Sequence, residues 1–155
     1  MIRSLACLLV LAAAPLAARD TGVATPVVIK AQVAAMERDM KPGQGFAWRP
    51  LLQGGEAVAA IEIWKRPGRP AVHPDQAEYA TVVDGSGTLV MGGTMVAPTT
   101  TRADLVEGDK IEGGTTYPLH PGDVIMVPAG VPHWFGITGG RLVLLGTKLT
   151  QTAKK

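Results

Sequence analysis

The sequence predicts an all-β fold with a short helix near its N-terminal end. The 155 residues include 19 glycines and 12 prolines, together about 20% of the chain against about 12% in average proteins. These two residue types favour turns and interrupt long helices, so their abundance predicts many short strands. Short apolar segments separated by glycine pairs are typical of a β-sandwich or a small barrel. The length suits one domain with its own core.

The strand predictions follow from alternation and from β-branched or aromatic content. Segment 57–65 shows the pattern most clearly, with Ala60, Glu62 and Trp64 on one face and Ile61 and Ile63 on the other,. The predicted strands cover residues 46–52, 57–65, 78–84, 87–91, 116–119, 123–127, 133–136 and 141–148.

Glycine-containing pairs mark the predicted turns between these strands. Asp84-Gly85 predicts a hairpin, because a type I′ turn needs positive φ at both central residues. The segment 97–114 is the least regular part of the chain, and we expect it to be a solvated loop that could act as a lid. The other predicted turns are Gly54-Gly55, Gly92-Gly93, Gly113-Gly114 and Gly139-Gly140.

The residues before the first strand predict a short helix. Thr25 followed by Pro26 is typical of a helix N-cap with proline at the first helical position. Val33, Met36 and Met40 follow at helical spacing, and their apolar stripe is expected to pack on a sheet. We expect this helix near residues 30–40, within an N-terminal arm that covers residues 19–44.

Residues 1–18 are predicted to be a secretory signal peptide. Arg3 provides the positive segment, Leu5 to Leu11 the apolar segment, and Ala17 and Ala18 small residues for cleavage,. The apolar run is shorter than the ~20 residues of a membrane-spanning helix. The prediction is therefore a periplasmic or secreted protein with no membrane span once the signal is removed. Cleavage would also remove Cys7, which is the only cysteine.

The charge balance excludes nucleic acid as a predicted partner. Without Arg3, the 15 basic residues of the chain fall to 14, against 13 acidic residues. A net charge of +1 with both signs interspersed provides no basic stripe for a phosphate backbone.

Two histidines and a carboxylate on separate β segments form the one group of residues in this sequence that could bind a metal or carry out a reaction. They are His73, Glu78 and His133. Neutral imidazoles and a carboxylate suit zinc, iron, nickel or manganese. The alternative is that His73 is an exposed turn residue and that His133 packs beside Trp134 as a structural histidine.

The residues around His133 resemble the second conserved motif of the cupin superfamily, G-x5-P-x-G-x2-H-x3-N. The match falls on Gly122, Pro128, Gly130 and His133. The final asparagine of the motif is replaced by Ile137.

The residues around Glu78 resemble the first cupin motif, G-x5-H-x-H-x4-E-x6-G. His73, Glu78 and Gly85 match, whereas Ala71 stands at the place of the first histidine and Lys65 at the place of the first glycine. The resemblance covers about residues 45–149, followed by a tail of residues 150–155.

This resemblance implies a cupin double-stranded β-helix, or jelly roll, with a divalent metal ion (Fe, Zn, Ni or Mn) held by His73, Glu78 and His133. Ala71 cannot bind a metal, so one coordination position would be open to solvent or substrate. Ala71, Gln76 and Trp134 are the residues we expect in the pocket.

Two functions are compatible with this interpretation. The first is an exported metal-dependent enzyme that acts on a small molecule as a dioxygenase, isomerase or lyase. The second is a non-catalytic cupin that binds a small molecule without metal. The resemblance also makes a homodimer plausible, and the sequence designates no catalytic residue.

Overall fold

A computed structural model describes residues 22–151 of the chain, and the predicted signal peptide lies outside them. The described part contains one helix and eleven strands, so the all-β prediction is confirmed. The helix α1 spans Pro26–Asp39. The strands are β1 (Phe46–Gly54), β2 (Ala57–Trp64), β3 (Ala71–Val72), β4 (Gln76–Met91), β5 (Thr94–Val96), β6 (Thr99–Arg102), β7 (Leu105–Glu107), β8 (Lys110–Glu112), β9 (Thr115–Leu119), β10 (Val124–Val127) and β11 (His133–Thr150).

Helix α1 begins earlier than the apolar stripe predicted, because its cap fixes the first turn. The Thr25 side chain accepts a hydrogen bond from the Val28 N–H at 3.4 Å, and Pro26 occupies the first turn,. Val33 and Met36 are buried against the sheet, as the stripe predicted. Among residues 22–151, no helix is long and apolar enough to cross a membrane.

The main sheet is organised around the two longest strands, β4 and β11. They pair antiparallel along most of their length, so that Glu78 lies opposite Lys148 and Met91 lies opposite His133. On one side, β2 pairs with β11 and β1 pairs with β2. On the other side, β4 pairs with β10 and β9. The start of β11 pairs with β3, which continues through β7 to β6, and the sheet thereby forms the expected jelly roll.

Two apolar clusters lie on opposite faces of the central strands. The alternation of β11 divides its residues between them, with Leu142 and Leu144 on the interior face and Val143 beneath α1,. The interior cluster includes Ala80, Val82, Leu89, Leu119, Ile125, Val127 and Phe135. The cluster beneath the helix includes Val33, Met36, Leu51, Ile61 and Ile63.

Two predicted turns are wrong, because the chain remains in strand conformation there. Asp84-Gly85 lies within β4 and Gly139-Gly140 lies within β11. The register between these strands is irregular from Ile137 to Leu142, which is the arrangement of a bulge and not of a hairpin. Gly85 has a φ of 77°, and a Cβ there would collide with the Arg141 carbonyl oxygen.

The prediction of an irregular loop over residues 97–114 is also wrong. This segment contains β6, β7 and β8. Its β7 pairs with β3, so that Glu107 lies opposite Ala71 and Val106 opposite Val72. The threonine-rich strand β6 is exposed along its length, and this polar composition hid a strand that is held by pairing with a neighbour. Strands β6 and β7 therefore extend the main sheet, whereas β8 pairs with β5 in a separate two-stranded sheet.

Candidate metal centre

Backbone pairing brings His73 and His133 to the same place. His133 is the first residue of β11 and lies opposite both Met91 and Ala71. His73 directly follows β3, and its carbonyl oxygen accepts a hydrogen bond from the Gly130 N–H at 2.8 Å. The turn before β11 therefore fixes the position of His73. The two imidazole centroids are 5.6 Å apart.

A backbone carbonyl orients each imidazole ring. The His73 Nδ1 lies 2.8 Å from the Asp104 carbonyl oxygen, and the His133 Nδ1 lies 3.1 Å from the Val131 carbonyl oxygen. Because a carbonyl oxygen only accepts, both Nδ1 atoms carry the proton in these hydrogen bonds. The Nε2 atoms are then left to bind a metal, as in many metalloproteins.

Both Nε2 atoms face the carboxylate of Glu78. Its Oε2 lies 3.6 Å from the His73 Nε2 and 3.4 Å from the His133 Nε2. The three residues offer ligand atoms that all lie within 4.8 Å of one another. Ligand atoms about 2.1 Å from a tetrahedral ion are roughly 3.4 Å apart. The spacing and the donor types therefore fit one divalent metal ion.

The three side chains are buried, with exposures of 6% for His73, 6% for Glu78 and 4% for His133. Burial alone would raise the pKa of Glu78, but the hydrogen bond that a protonated His133 donates, the Lys148 ammonium and the charge of the protonated imidazoles lower that pKa to about 2. Burial lowers the pKa of His73, against the hydrogen bond to Asp104. At neutral pH the site therefore presents an ionised carboxylate and, at His73, a neutral imidazole.

Lys148 is a cationic neighbour of the ligands that motif spacing does not reveal. Its Nζ lies 3.6 Å from the Glu78 Oε2, because the two residues are paired across β4 and β11. Lys148 lies an even number of positions after Leu142 and Leu144, so the three side chains lie on the same, inner face of β11. This alternation could have indicated an inward-facing lysine.

Glu62 is a second charged residue of the cavity that local sequence patterns did not identify. It lies on β2 opposite Leu144 of β11, and it lines the same cavity as His73, Glu78 and His133. Alternation along β2 places Glu62 on the same face as Ala60 and Trp64. A carboxylate on that otherwise apolar face was the available signal.

The ligand set opens into a cavity of about 370 Å³. Ala71 and Trp134 line this cavity, as the sequence analysis expected of them. The Trp134 Nε1–H donates to the Gly68 carbonyl oxygen at 2.9 Å, which fixes the indole in the wall. Phe46, Trp64, Leu105 and Phe135 provide further apolar lining. A small molecule with an apolar portion would fit beside the ligands.

The expectation that Gln76 belongs to this pocket does not match its position. Gln76 instead lines a smaller cavity of about 180 Å³, together with Trp48 and Glu56. It is the first residue of β4, two residues before Glu78. His120 is exposed and pairs with Asp123 at 3.7 Å, away from the ligand set.

Comparisons with known proteins agree with the fold and with the motif. The family model described as Cupin matches residues 58–150. No curated protein matches the sequence. The similarity to solved structures is therefore one of architecture, at low sequence identity.

Three solved structures illustrate that similarity. The TT1209 protein of Thermus thermophilus has a TM-score of 0.52 at 15% identity, over 75% of this chain and 94% of that one. The DMSP lyase DddQ of Ruegeria pomeroyi has a TM-score of 0.53 at 17% identity, over 88% of this chain and 69% of that one. The cupin-2 domain protein Rru_A2000 of Rhodospirillum rubrum has a TM-score of 0.51 at 13% identity, over 74% and 66%.

Proposed function

Because the chain belongs to the cupin family, we propose that it binds one divalent metal ion through His73, Glu78 and His133 and acts on a small molecule beside that ion. The orientation of the two imidazoles carries this proposal. Their Nδ1 atoms are bound to backbone carbonyls, and their Nε2 atoms lie within 3.6 Å of one carboxylate oxygen. The donor set suits Fe, Zn, Ni or Mn.

The residues around the ligands suit a catalytic site better than a purely structural one. A bound ion would supply a Lewis acid, or a redox centre if it is iron. Ala71 presents only a methyl group to the cavity, so three protein ligands leave space for a substrate. Aromatic side chains line the cavity beside the ligands. Dioxygenase, isomerase and lyase reactions are the classes we propose, since the fold alone does not choose among them.

Metal content of protein purified without a histidine tag tests this proposal. We expect about one metal ion per chain in the parent and a strong loss in His133→Ala, because one of three ligands is removed. His120→Ala is the matched control, since His120 is exposed and lies outside the site. Circular dichroism checks that both variants keep the β fold. Equal metal content in the parent and both variants would refute the ligand assignment.

A metal-free binding protein is the second candidate function, and the position of Lys148 favours it. The Lys148 Nζ lies 3.6 Å from the Glu78 Oε2 and compensates the buried carboxylate without any metal ion. This alternative would be supported if the purified protein binds small molecules, contains no metal and does not bind added zinc.

We also propose that the protein is exported to the periplasm or secreted, which rests on the sequence of residues 1–18. Arg3, the apolar run from Leu5 to Leu11 and the small residues Ala17 and Ala18 support this proposal,. Expression in a bacterial host followed by intact-mass measurement of the periplasmic fraction is the test. We expect a chain that begins close to Arg19. A chain that retains Met1 and remains in the cytoplasm would refute export.

A homodimer is the assembly we propose. Strand β10 pairs with β4 on one side, and it exposes Val124 and Met126 on its surface, at 64% and 48%. An exposed apolar edge strand favours association with another strand. Light scattering of the purified protein measures the molecular mass and would contradict the proposal if it returned one chain.

A further inference from the structure

The side chain of Lys148 places a positive charge directly beside the proposed ligands. Lys148 lies opposite Glu78 in the β4–β11 pair, and its Nζ is 3.6 Å from the Glu78 Oε2. The same oxygen lies 3.4 Å from the His133 Nε2. The lysine side chain is 32% exposed, so solvent screens the ammonium less than it screens a surface charge. Strand pairing therefore holds a cation next to the atom that would bind the metal.

A cation in this position works against metal binding. The ammonium of Lys148 competes with a metal ion for the Glu78 carboxylate, and it repels the ion where the local dielectric constant is low. A methionine or leucine at this position would occupy the same space without that repulsion. Metal affinity alone therefore does not account for Lys148, whereas a negatively charged group that binds together with the metal does.

Metal binding would free the Lys148 ammonium from its present partner. Among residues 22–151, Lys148 forms an ion pair with Glu78 and with no other carboxylate. A divalent ion bound by Glu78 takes over that carboxylate and becomes the largest charge in the cavity. Glu62 also lines the cavity, but its Oε2 accepts a hydrogen bond from the Trp64 Nε1–H at 3.0 Å. The loaded site would thus have an excess of positive charge, centred on the ion and on the lysine.

The other cations of the cavity are largely exposed and already have partners. Arg69 pairs with Asp109 at 2.9 Å, and Arg102 pairs with Asp104 at 3.1 Å. Glu107 lines the same cavity from β7 and is not an ion-pair partner of the lysine. Among the described residues, the lysine is therefore the cation of this cavity whose partner the metal would take.

The ammonium reaches the space in which a bound molecule would lie. Lys148 lines the cavity of about 370 Å³ together with His73, Glu78 and His133. A metal ion about 2.1 Å from the Glu78 Oε2 would lie no more than about 6 Å from the Lys148 Nζ. A planar carboxylate with one oxygen on the ion can then accept a charge-assisted hydrogen bond from the ammonium at its second oxygen. The size of the cavity restricts such a ligand to a small molecule.

We infer that Lys148 is a specificity-determining residue of this site, whose ammonium binds the carboxylate of a small organic acid coordinated to the metal. This inference rests on the proposed metal-dependent function and narrows its substrate to one chemical class. Phe46, Leu105 and Trp134 line the same cavity and would contact the apolar part of that acid. A neutral molecule would leave the ammonium without a partner, which costs binding free energy. The site therefore discriminates against neutral molecules.

Ligand binding to the cobalt-loaded protein tests this role, because the visible spectrum of Co²⁺ changes when a ligand joins its coordination shell. Acetate is the anionic probe, and imidazole is the neutral one. We expect Lys148→Met to bind acetate at least about tenfold more weakly than the parent, through the loss of a hydrogen bond between charged groups. Its imidazole affinity should not fall. Lys148→Arg keeps the charge and should recover most of the acetate affinity.

Arg69→Met is the matched control, because it removes a positive charge from the same lining and Arg69 pairs with Asp109 instead of Glu78. We expect this variant to bind acetate as the parent does. Equal acetate affinity in the parent and Lys148→Met would overturn the inference, and so would equal losses in Lys148→Met and Arg69→Met. A loss of imidazole binding in step with acetate would overturn it as well, because it would indicate damage to the centre and no selection of anions.

Zinc affinity provides a second measurement and separates this inference from the proposed function. Competition with a chelator should show tighter zinc binding in Lys148→Met, because the repulsion of the ion is removed. If the parent binds neither zinc nor cobalt, the proposed metal-dependent function fails. If the parent binds both and Lys148→Met changes neither acetate nor zinc affinity, the metal site stands and the role of Lys148 is overturned. Circular dichroism verifies the fold, and Lys148→Gln replaces Lys148→Met in the same titrations if the methionine variant does not fold.

Discussion

At the scale of single residues, protonation decides the pH range in which the centre can accept a metal. Glu78, with a pKa lowered to about 2, contributes stability that is present above its ordinary value of 4.5 and is lost as the pH falls towards 2,. The lowered pKa of His73 contributes stability that is present above 6.5 and is lost below it,. The His73 imidazole, and not the Glu78 carboxylate, therefore sets the acid limit for metal binding,.

Ala71 is the position where one added side chain should change the metal centre most directly. It lies opposite His133 in the β3–β11 pair and lines the cavity of the ligands. We expect Ala71→His to supply a fourth ligand, raise zinc affinity and reduce any turnover by filling the open position. Zinc affinity is measured by competition with a coloured chelator.

Val72→His is the matched control for this change. Val72 lies next to Ala71 on the same strand, so its side chain points to the opposite face. We expect Val72→His to leave zinc affinity at the value of the parent. If Ala71→His folds and binds zinc no better than Val72→His does, position 71 does not face the metal.

The site residues differ in how far the sequence could predict them. His73, Glu78 and His133 were predicted because motif spacing places them, and the structure brings their side chains together. Lys148 and Glu62 reach the site through the register of β2, β11 and β4. That register depends on pairing between residues distant in sequence, which local patterns do not specify.

At the scale of elements, glycine allows β4 and β11 to bend without ending. Local turn chemistry predicted hairpins at Asp84-Gly85 and Gly139-Gly140, but long-range pairing of the two strands prevails over it. Next to this bulge, the Arg141 guanidinium forms salt bridges with Asp84 of β4 and with Glu37 of α1. The bend therefore also connects the sheet to the helix.

Gly85→Ala tests the close approach of the two strands. Positive φ costs an L-residue about 1–2 kcal/mol, and the added Cβ would also collide with the Arg141 carbonyl oxygen. We expect the free energy of unfolding to fall by about 2 kcal/mol or more. Gly140→Ala is the matched control, since Gly140 has a φ of 80° and nothing within 4 Å of the added Cβ. Urea unfolding should rank Gly85→Ala as the less stable variant, and equal losses would show that strand contact does not matter there.

At the scale of the whole molecule, composition and motif spacing predicted the all-β class and the jelly roll, whereas the path of the chain along one rim was not predictable. The segment 97–114 has a polar composition typical of a loop, and it becomes strand because β7 pairs with β3 and β8 pairs with β5. The helix was predicted from Val33 and Met36, whose apolar stripe needs no long-range information to recognise,. Patterns within one element were therefore predicted correctly more often than pairings between elements.

The stability of the whole metal-free molecule should depend on the proton held by Glu62. Because its pKa is raised above 4.5 in the folded state, Glu62 contributes stability that is fully present below pH 4.5 and is lost as the pH rises through the folded-state pKa. Glu62→Gln cannot ionise, and its amide can still accept the Trp64 hydrogen bond. We expect its melting temperature to exceed that of the parent by an amount that grows as the pH rises above 4.5,. Thermal unfolding followed by circular dichroism measures this difference, with Glu107→Gln as the control for simple loss of a charge. Parallel curves for the parent and Glu62→Gln would mean that folding does not favour the neutral acid.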